Sequence, residues 1–387
     1  MVELLWLLLP IAAAAGWIAS ARDTKLKVKR ISGISSDYFK GLNFLLNEQP
    51  DKAIEVFIRM VEVDHETAET HLALGHLFRR RGEVDRAIRI HQNLIARPRI
   101  KSELKTLALL ELGEDYMRAG LFDRAENLFL ELVEMNEHTA KALTQLANIY
   151  QQEREWEKAI DICHRLESVS NKSMHMLMAQ YYCEIAEEHY RNNNYKQAQD
   201  KLFKAVHYDP KCVRASILQA KLDVQNKDYQ AAIQSYQQVV NQDIDYFPEI
   251  LDSLIDCYHH LGRQRELKTF LMKILNRYSG ISPMLVLAEI IRQEGTDRDA
   301  MDFMKKQLQK RASVKGLHWL IELSLKHAQG ESKEHFEILH QITSNLLKDK
   351  PVYECHICGF AGRTLHWQCP SCKSWNTVKP IHGLEAE

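Results

Sequence analysis

The chain has 387 residues, 45% of them hydrophobic, with 15 glycines and 9 prolines, which suits an almost wholly helical protein with a large interior. Its 51 basic and 52 acidic residues leave a formal net charge of -1, so no overall electrostatic pull toward nucleic acid is expected. No Pro/Gly/Ser-rich linker or low-complexity tract interrupts it.

The first predicted element is Leu4–Ala21, eighteen residues without a charge. At roughly 1.5 Å per residue such a helix covers about 27 Å, enough for the hydrocarbon core of a bilayer. Trp6 and Trp17 lie toward its ends, where interfacial indoles are favoured. Ala19-Ser20-Ala21 has the form of a signal-peptide cleavage site, but the charges oppose cleavage. Only Glu3 precedes the apolar run, whereas Arg22, Lys25, Lys27, Lys29 and Arg30 follow it. Residues 1–21 are therefore read as an uncleaved transmembrane anchor and 22–33 as a basic juxtamembrane linker. Positive residues stay on the cytoplasmic side, so the N-terminus faces the periplasm and the rest the cytoplasm of a bacterial inner membrane.

From residue 34 to 349 the chain reads as about eight to nine amphipathic helical hairpins. In Leu107–Glu134, Leu109, Leu112, Gly113 and Tyr116 share one helix face, Gly120 makes a corner, and Ala125, Phe129 and Leu132 share a face of the next helix. The pattern recurs with reference alanines at Ala53, Ala87, Ala125, Ala159, Ala198 and Ala232, in steps of 34, 38, 34, 39 and 34 residues. Twelve positions before each stands a small residue: Gly41, Gly75, Gly113, Ala147, Ala186 and Ala220. Three further on the companion aromatic is Phe44, Phe78, Tyr116 or Tyr150, lapsing to His189 and Asp223. This order of residues resembles the tetratricopeptide repeat (TPR), a helix-turn-helix unit that buries its second face only by stacking. Weaker copies run through Leu254, Tyr258 and Leu271, then Ala288, Ala300 and Met304, and two last helices are expected near Leu317–Lys326 and Lys333–Leu347. The two long steps predict lengthened connections near Arg97–Ile100 and Val169–Lys172. The resemblance implies a groove lined by the first helices, for which the register nominates Arg79, Arg80, Glu114, Met117, Arg118, Asn148, Gln151, Gln152, Arg191 and Asn192. That lining is polar and mixed in sign, which suits a protein segment better than a phosphate backbone.

Pro351 ends the helical pattern, and residues 351–387 form a separate domain. Cys355/Cys358 and Cys369/Cys372 are two Cys-x-x-Cys pairs ten residues apart, the spacing of two knuckles that close four thiolates around one metal ion. Four thiolates in a tetrahedron take zinc or iron. With neighbouring Tyr353, Phe360, Trp367 and Trp375 the segment resembles rubredoxin, an iron protein, and Cys355 to Asn376 also resembles the zinc ribbon of the RadA recombination protein. His356 and His366 are read as surface residues, and Cys163, Cys183, Cys212 and Cys257 as core or groove residues of the repeats. A domain of about 30 residues has little core of its own, so this one is expected to pack on the groove side of the repeats.

No Gly-rich phosphate loop, His-Glu-x-x-His helix or Gly-x-Ser-x-Gly elbow occurs, and no enzyme is expected. The fold class is thus all-α: a TPR solenoid with an N-terminal transmembrane helix and a small C-terminal rubredoxin-like or zinc-ribbon domain. Anchor, repeats and four-cysteine domain in that order resemble the lipopolysaccharide assembly protein B family (LapB, also YciM). The resemblance implies a non-enzymatic inner-membrane adaptor that works with the protease FtsH on the deacetylase LpxC and gathers lipopolysaccharide-synthesis proteins. The balanced charge and the anchor argue against a nucleic-acid partner, and a homodimer is left open. Two other classes stay open at this point: a scaffold whose ribbon binds nucleic acid, and a rubredoxin-type electron carrier.

Overall fold

A computed structural model of the protein describes residues 68–97, 100–348 and 350–384, with 39–41, 43–44, 47, 49, 52–53 and 56. The expected anchor and linker, with Trp6 and Trp17, lie outside the described residues. No described helix is long and apolar enough to cross a membrane. The chain divides into two compact units, residues 1–155 with 168–171, and residues 156–167 with 172–387.

The described helices of the first unit are α1 (Ala68–Arg80), α2 (Val84–Ile95), α3 (Ser102–Ala119), α4 (Phe122–Glu134) and α5 (Thr139–Glu153). The small residues of the repeat pattern sit where two helices meet. A Cβ on Gly113 would lie 2.6 Å from Phe129 Cε1, and one on Gly75 would overlap the His91 ring. Ala53, Ala87, Ala125 and Phe129 are wholly buried, and Ala53 and Ala87 share one cluster with Leu74, Leu77 and Phe78. Gly120, at φ 74°, closes α3 in the left-handed region, where a side chain would be strained.

The second unit holds α6 (Trp156–Ser170) up to Glu167, then α7 (His175–Arg191), α8 (Tyr195–Tyr208), α9 (Val213–Gln225) and α10 (Tyr229–Gln242). A 3₁₀ turn at Ile244–Tyr246 leads to α11 (Phe247–His260), α12 (Gln264–Leu275), α13 (Ser282–Glu294), α14 (Asp297–Lys310), α15 (Val314–Leu325) and α16 (Glu331–Leu347). The degenerate repeats keep their packing. Leu254, Leu271, Ala288, Ala300 and Met304 are all wholly buried, and Thr296 and Asp299 form a capping box that starts α14.

The long steps are absorbed differently from the sequence expectation. In the first, part of the excess makes α3 18 residues long against 15 for α5. In the second, the connection at residues 171–174 is no longer than that at 209–212; the excess extends α6 to 15 and α7 to 17 residues, against 14 and 13 for α10 and α9. An added helical residue gains a backbone hydrogen bond, whereas an added loop residue gains none, so the helices take up the slack.

The chain ends in a three-stranded antiparallel sheet of order β2-β1-β3, with β1 (Tyr353–Cys355), β2 (Ala361–Gly362) and β3 (Val378–Pro380). Tyr353 pairs with Gly362 on one side, and Cys355 with Val378 on the other.

Candidate metal centre

Each Cys-x-x-Cys pair lies in a turn built the same way. After β1, the Gly359 amide donates to the Cys355 carbonyl at 2.9 Å and the Cys355 amide to Phe360 at 2.8 Å. In the second turn the Lys373 amide donates to Cys369 at 3.0 Å and the Cys369 amide to Ser374 at 2.9 Å. The residue after each second cysteine has a positive φ, 72° at Gly359 and 60° at Lys373. The matching turns aim four sulfurs at one point. All four lie within 4.8 Å of one another, with Cys355 Sγ 3.8 Å from Cys372 Sγ and Cys358 Sγ 3.6 Å from Cys369 Sγ. Sulfurs at about 2.3 Å from a tetrahedral zinc ion stand about 3.8 Å apart, so the residues fit a bound metal.

The surroundings prepare thiolates. Thr377 Oγ1 lies 3.3 Å from Cys355 Sγ, and with the Cys358 and Ile357 amides it holds that thiol at about 6. Ser374 draws Cys372 below the usual thiol range, whereas burial pushes Cys369 up to about 11, a proton that a bound cation would displace. Four protein sulfurs complete a tetrahedral shell and leave no position for water or substrate, the arrangement of a structural site holding zinc or iron. His356 is exposed, and His366 sits 3.2 Å from Thr364 Oγ1 against the edge of Phe360; neither joins the sulfur group.

Residues just outside the knuckles fasten this domain to the helices of its own unit. Trp367 stacks on Tyr246 with ring centres 5.4 Å apart. Trp375 meets the edges of Tyr181 at 6.0 Å and Trp156 at 6.3 Å. Arg214 lies 5.8 Å from the Trp367 ring and 6.0 Å from Trp375, and is held by Glu184 at 2.8 Å and Glu187 at 2.6 Å. The Tyr246 hydroxyl donates to Asn376 Oδ1 at 3.1 Å or to the Val378 carbonyl at 3.2 Å, and the Tyr353 hydroxyl donates to Glu249. Lys379 Nζ bridges Asp243 at 2.7 Å and Asp245 at 3.0 Å. The domain therefore meets Tyr181 of α7, Arg214 of α9 and Glu249 of α11, first helices of their hairpins, together with Trp156 of α6, as its small core demands. Sequence reasoning missed Arg214, Tyr246, Asp243, Asp245 and Lys379. Lys379 and Asp243 are 136 residues apart and nothing local links them.

The nominated groove residues fare unequally. Arg79 is a correction: it is buried, with its guanidinium 2.8 Å from Asp115 and 2.9 Å from Glu114, and also paired with Glu111. Asp115, itself fully buried, also meets His91 Nδ1 at 2.5 Å, so Arg79 balances an internal charge that cannot be left alone. Burial raises the Glu114 carboxyl above its usual range, against the pull of Arg79. Arg80, Arg118, Asn148, Gln152, Arg191 and Asn192 are exposed, and Met117 and Gln151 are half-buried. Arg191 lies 3.8 Å from Glu187. Cys163, Cys183, Cys212 and Cys257 are all core residues.

The rubredoxin metal binding domain family model matches residues 353–380. Tetratricopeptide repeat models match 70–104, 110–170 and 183–246. The chain is 40% identical to the lipopolysaccharide assembly protein B of Escherichia coli (strain K12), with the whole of both chains covered. It is 38% identical to that of Haemophilus influenzae (strain ATCC 51907 / DSM 11121 / KW20 / Rd), again over the full length of both. Among solved structures, a MamA protein crystal structure aligns at 19% identity and TM-score 0.33, covering 47% of this chain and 95% of that one.

Proposed function

The chain belongs to the lipopolysaccharide assembly protein B family, and from that premise we propose that it is an inner-membrane adaptor controlling lipopolysaccharide synthesis, by presenting the deacetylase LpxC to the protease FtsH and gathering other synthesis proteins. It is a non-enzymatic TPR protein. The observation that carries the reading is the saturated four-sulfur centre fastened to repeat helices by Trp367, Trp375 and Lys379. Such a centre supplies rigidity. A bound zinc or iron would be held by Cys355, Cys358, Cys369 and Cys372, and would fix the knuckles that carry the two tryptophans.

The work then falls to surfaces. Arg80, Arg118, Asn148 and Gln152 in the first unit, and Arg191 and Asn192 in the second, are exposed polar residues suited to side-chain hydrogen bonds with a protein segment. Leu4–Ala21 supports a single span with the N-terminus in the periplasm and the repeats in the cytoplasm. Confinement beside the bilayer raises the effective concentration of a held substrate near a membrane protease. Neither alternative gains support. Trp375 is buried against Tyr181 and Trp156 and Trp367 stacks on Tyr246, so both rings serve to fasten the domain and are not presented to bases.

The test is a crosslinking pull-down from membranes with the intact chain and with versions lacking residues 1–21 or 351–387, followed by LpxC turnover with Cys355→Ser/Cys358→Ser. The reading expects FtsH or LpxC among the captured proteins, and loss of bound metal and of regulated turnover together. Undiminished turnover with metal-free protein would overturn it.

A further inference from the structure

The last helix of the repeats is apolar on two sides. One side, with Phe336, His340, Thr343 and Leu347, faces α15, where His318 Nδ1 meets Thr343 Oγ1 at 2.8 Å and the His318 and His340 rings lie 4.5 Å apart. The other carries Ile338, Leu339, Ile342 and Leu346, which are 57%, 44%, 50% and 41% exposed. At 3.6 residues per turn these four fall within one narrow stripe. A terminal helix of a repeat stack normally presents a polar outer face, since nothing follows to cover it. This one is built like an interior helix.

We propose that α16 is a homodimer interface, packing antiparallel against α16 of a second copy about a twofold axis through Ile342. The stripe is self-complementary in that arrangement. Ile338 and Leu346 stand four residues to either side of Ile342, so Ile338 of one copy meets Leu346 of the other and Ile342 meets itself. The charges select the same orientation. Glu334 and Lys348 lie on one flank of the stripe, near opposite ends of the helix and almost equally far from Ile342. Antiparallel helices bring like flanks together with their ends reversed, which sets Glu334 of each copy beside Lys348 of the other. Parallel pairing would bring unlike flanks together and set Glu334 against the Leu339 side of the partner, leaving neither charge matched. Four half-exposed side chains make a small patch, at the low end of interface size, so the dimer exchanges with monomer and does not assemble permanently.

The full chain, purified in detergent, is followed by sedimentation equilibrium over roughly 1–100 μM, a range matched to a weak contact. The expected result is concentration-dependent dimerisation that Ile342→Glu abolishes, with melting and metal content unchanged. Phe203→Glu, which alters a 77% exposed residue of α8, leaves dimerisation intact. Ile342→Cys, on the axis, gives a disulfide between the two introduced thiols, located by mass spectrometry. A wild-type chain that stays monomeric, a dimer that survives Ile342→Glu, or an Ile342→Cys variant whose new thiol bonds to another residue or another protein each overturns the proposal. None of these outcomes bears on whether the protein presents LpxC to a protease.

Discussion

Trp375→Ala should release the metal domain from the repeats without emptying the metal site. Trp375 is 7% exposed and lies against Tyr181, Trp156 and Arg214, all in the helical part of the second unit. Its side chain carries on the order of 200 Å² of surface, or about 5 kcal/mol at about 25 cal/mol per Å² if all of it were lost to water. Part of that surface faces its own domain, but the aromatic and cation–π contacts add about 0.5–1.5 kcal/mol each. A loss of about 3–5 kcal/mol follows, the range of buried Trp→Ala changes, which weakens docking by roughly two to four orders of magnitude. The four cysteines are untouched, so metal stoichiometry should stay at wild type. Hydrogen exchange should then accelerate in residues 243–249 and 375–380, while peptides of the first unit serve as an unchanged reference. Wild-type protection in those segments, with metal retained, would show that Trp375 does not hold the domain. Simultaneous loss of the metal would show that it holds the knuckle itself.

Lys379 gives a pH signature. Burial would raise the Asp245 carboxyl, but the hydrogen bond and charge of Lys379, helped by His382, hold it below its usual value. Burial would likewise lower Lys379, yet its bonds to Asp243 and Asp245 raise it. A depressed carboxylate contributes stability that is present above its unfolded value and lost as pH falls through the folded one. The stability difference between wild type and Lys379→Met should therefore be full at neutral pH, begin to shrink near about pH 4 and vanish only below the depressed carboxyl value, as followed by hydrogen exchange at each pH. Gly113→Ala should destabilise the first unit by about 1–3 kcal/mol, because Phe129 is fully buried and cannot retreat; Phe129→Leu in the same chain should recover part of the loss in thermal denaturation. Arg79→Ala leaves Asp115 buried beside His91 without its guanidinium partner, and should cost about 3–5 kcal/mol in the same assay. Replacing Asp115 as well should cost less than the two single losses together.

What the amino-acid order determined was everything that rests on local spacing. Alanines recurring at about 34 residues announced stacked hairpins, and two Cys-x-x-Cys pairs announced a closed thiolate shell, because helix periodicity and knuckle turns are set by near neighbours. The degenerate copies beyond Ala232 were legible too, since their apolar faces stayed in register even where the signature residues lapsed. Tertiary structure alone decided how charges were allotted. Arg79 stood at a groove position by register, but burial of Asp115 from another repeat drew its guanidinium inward. Lys379, Tyr246 and Arg214 looked like ordinary surface or repeat residues until the chain returned over 130 residues to place them together. Periodicity records which side of a helix is apolar; it carries no record of which distant polar group will arrive there, because that choice depends on desolvation and pairing in the assembled interior.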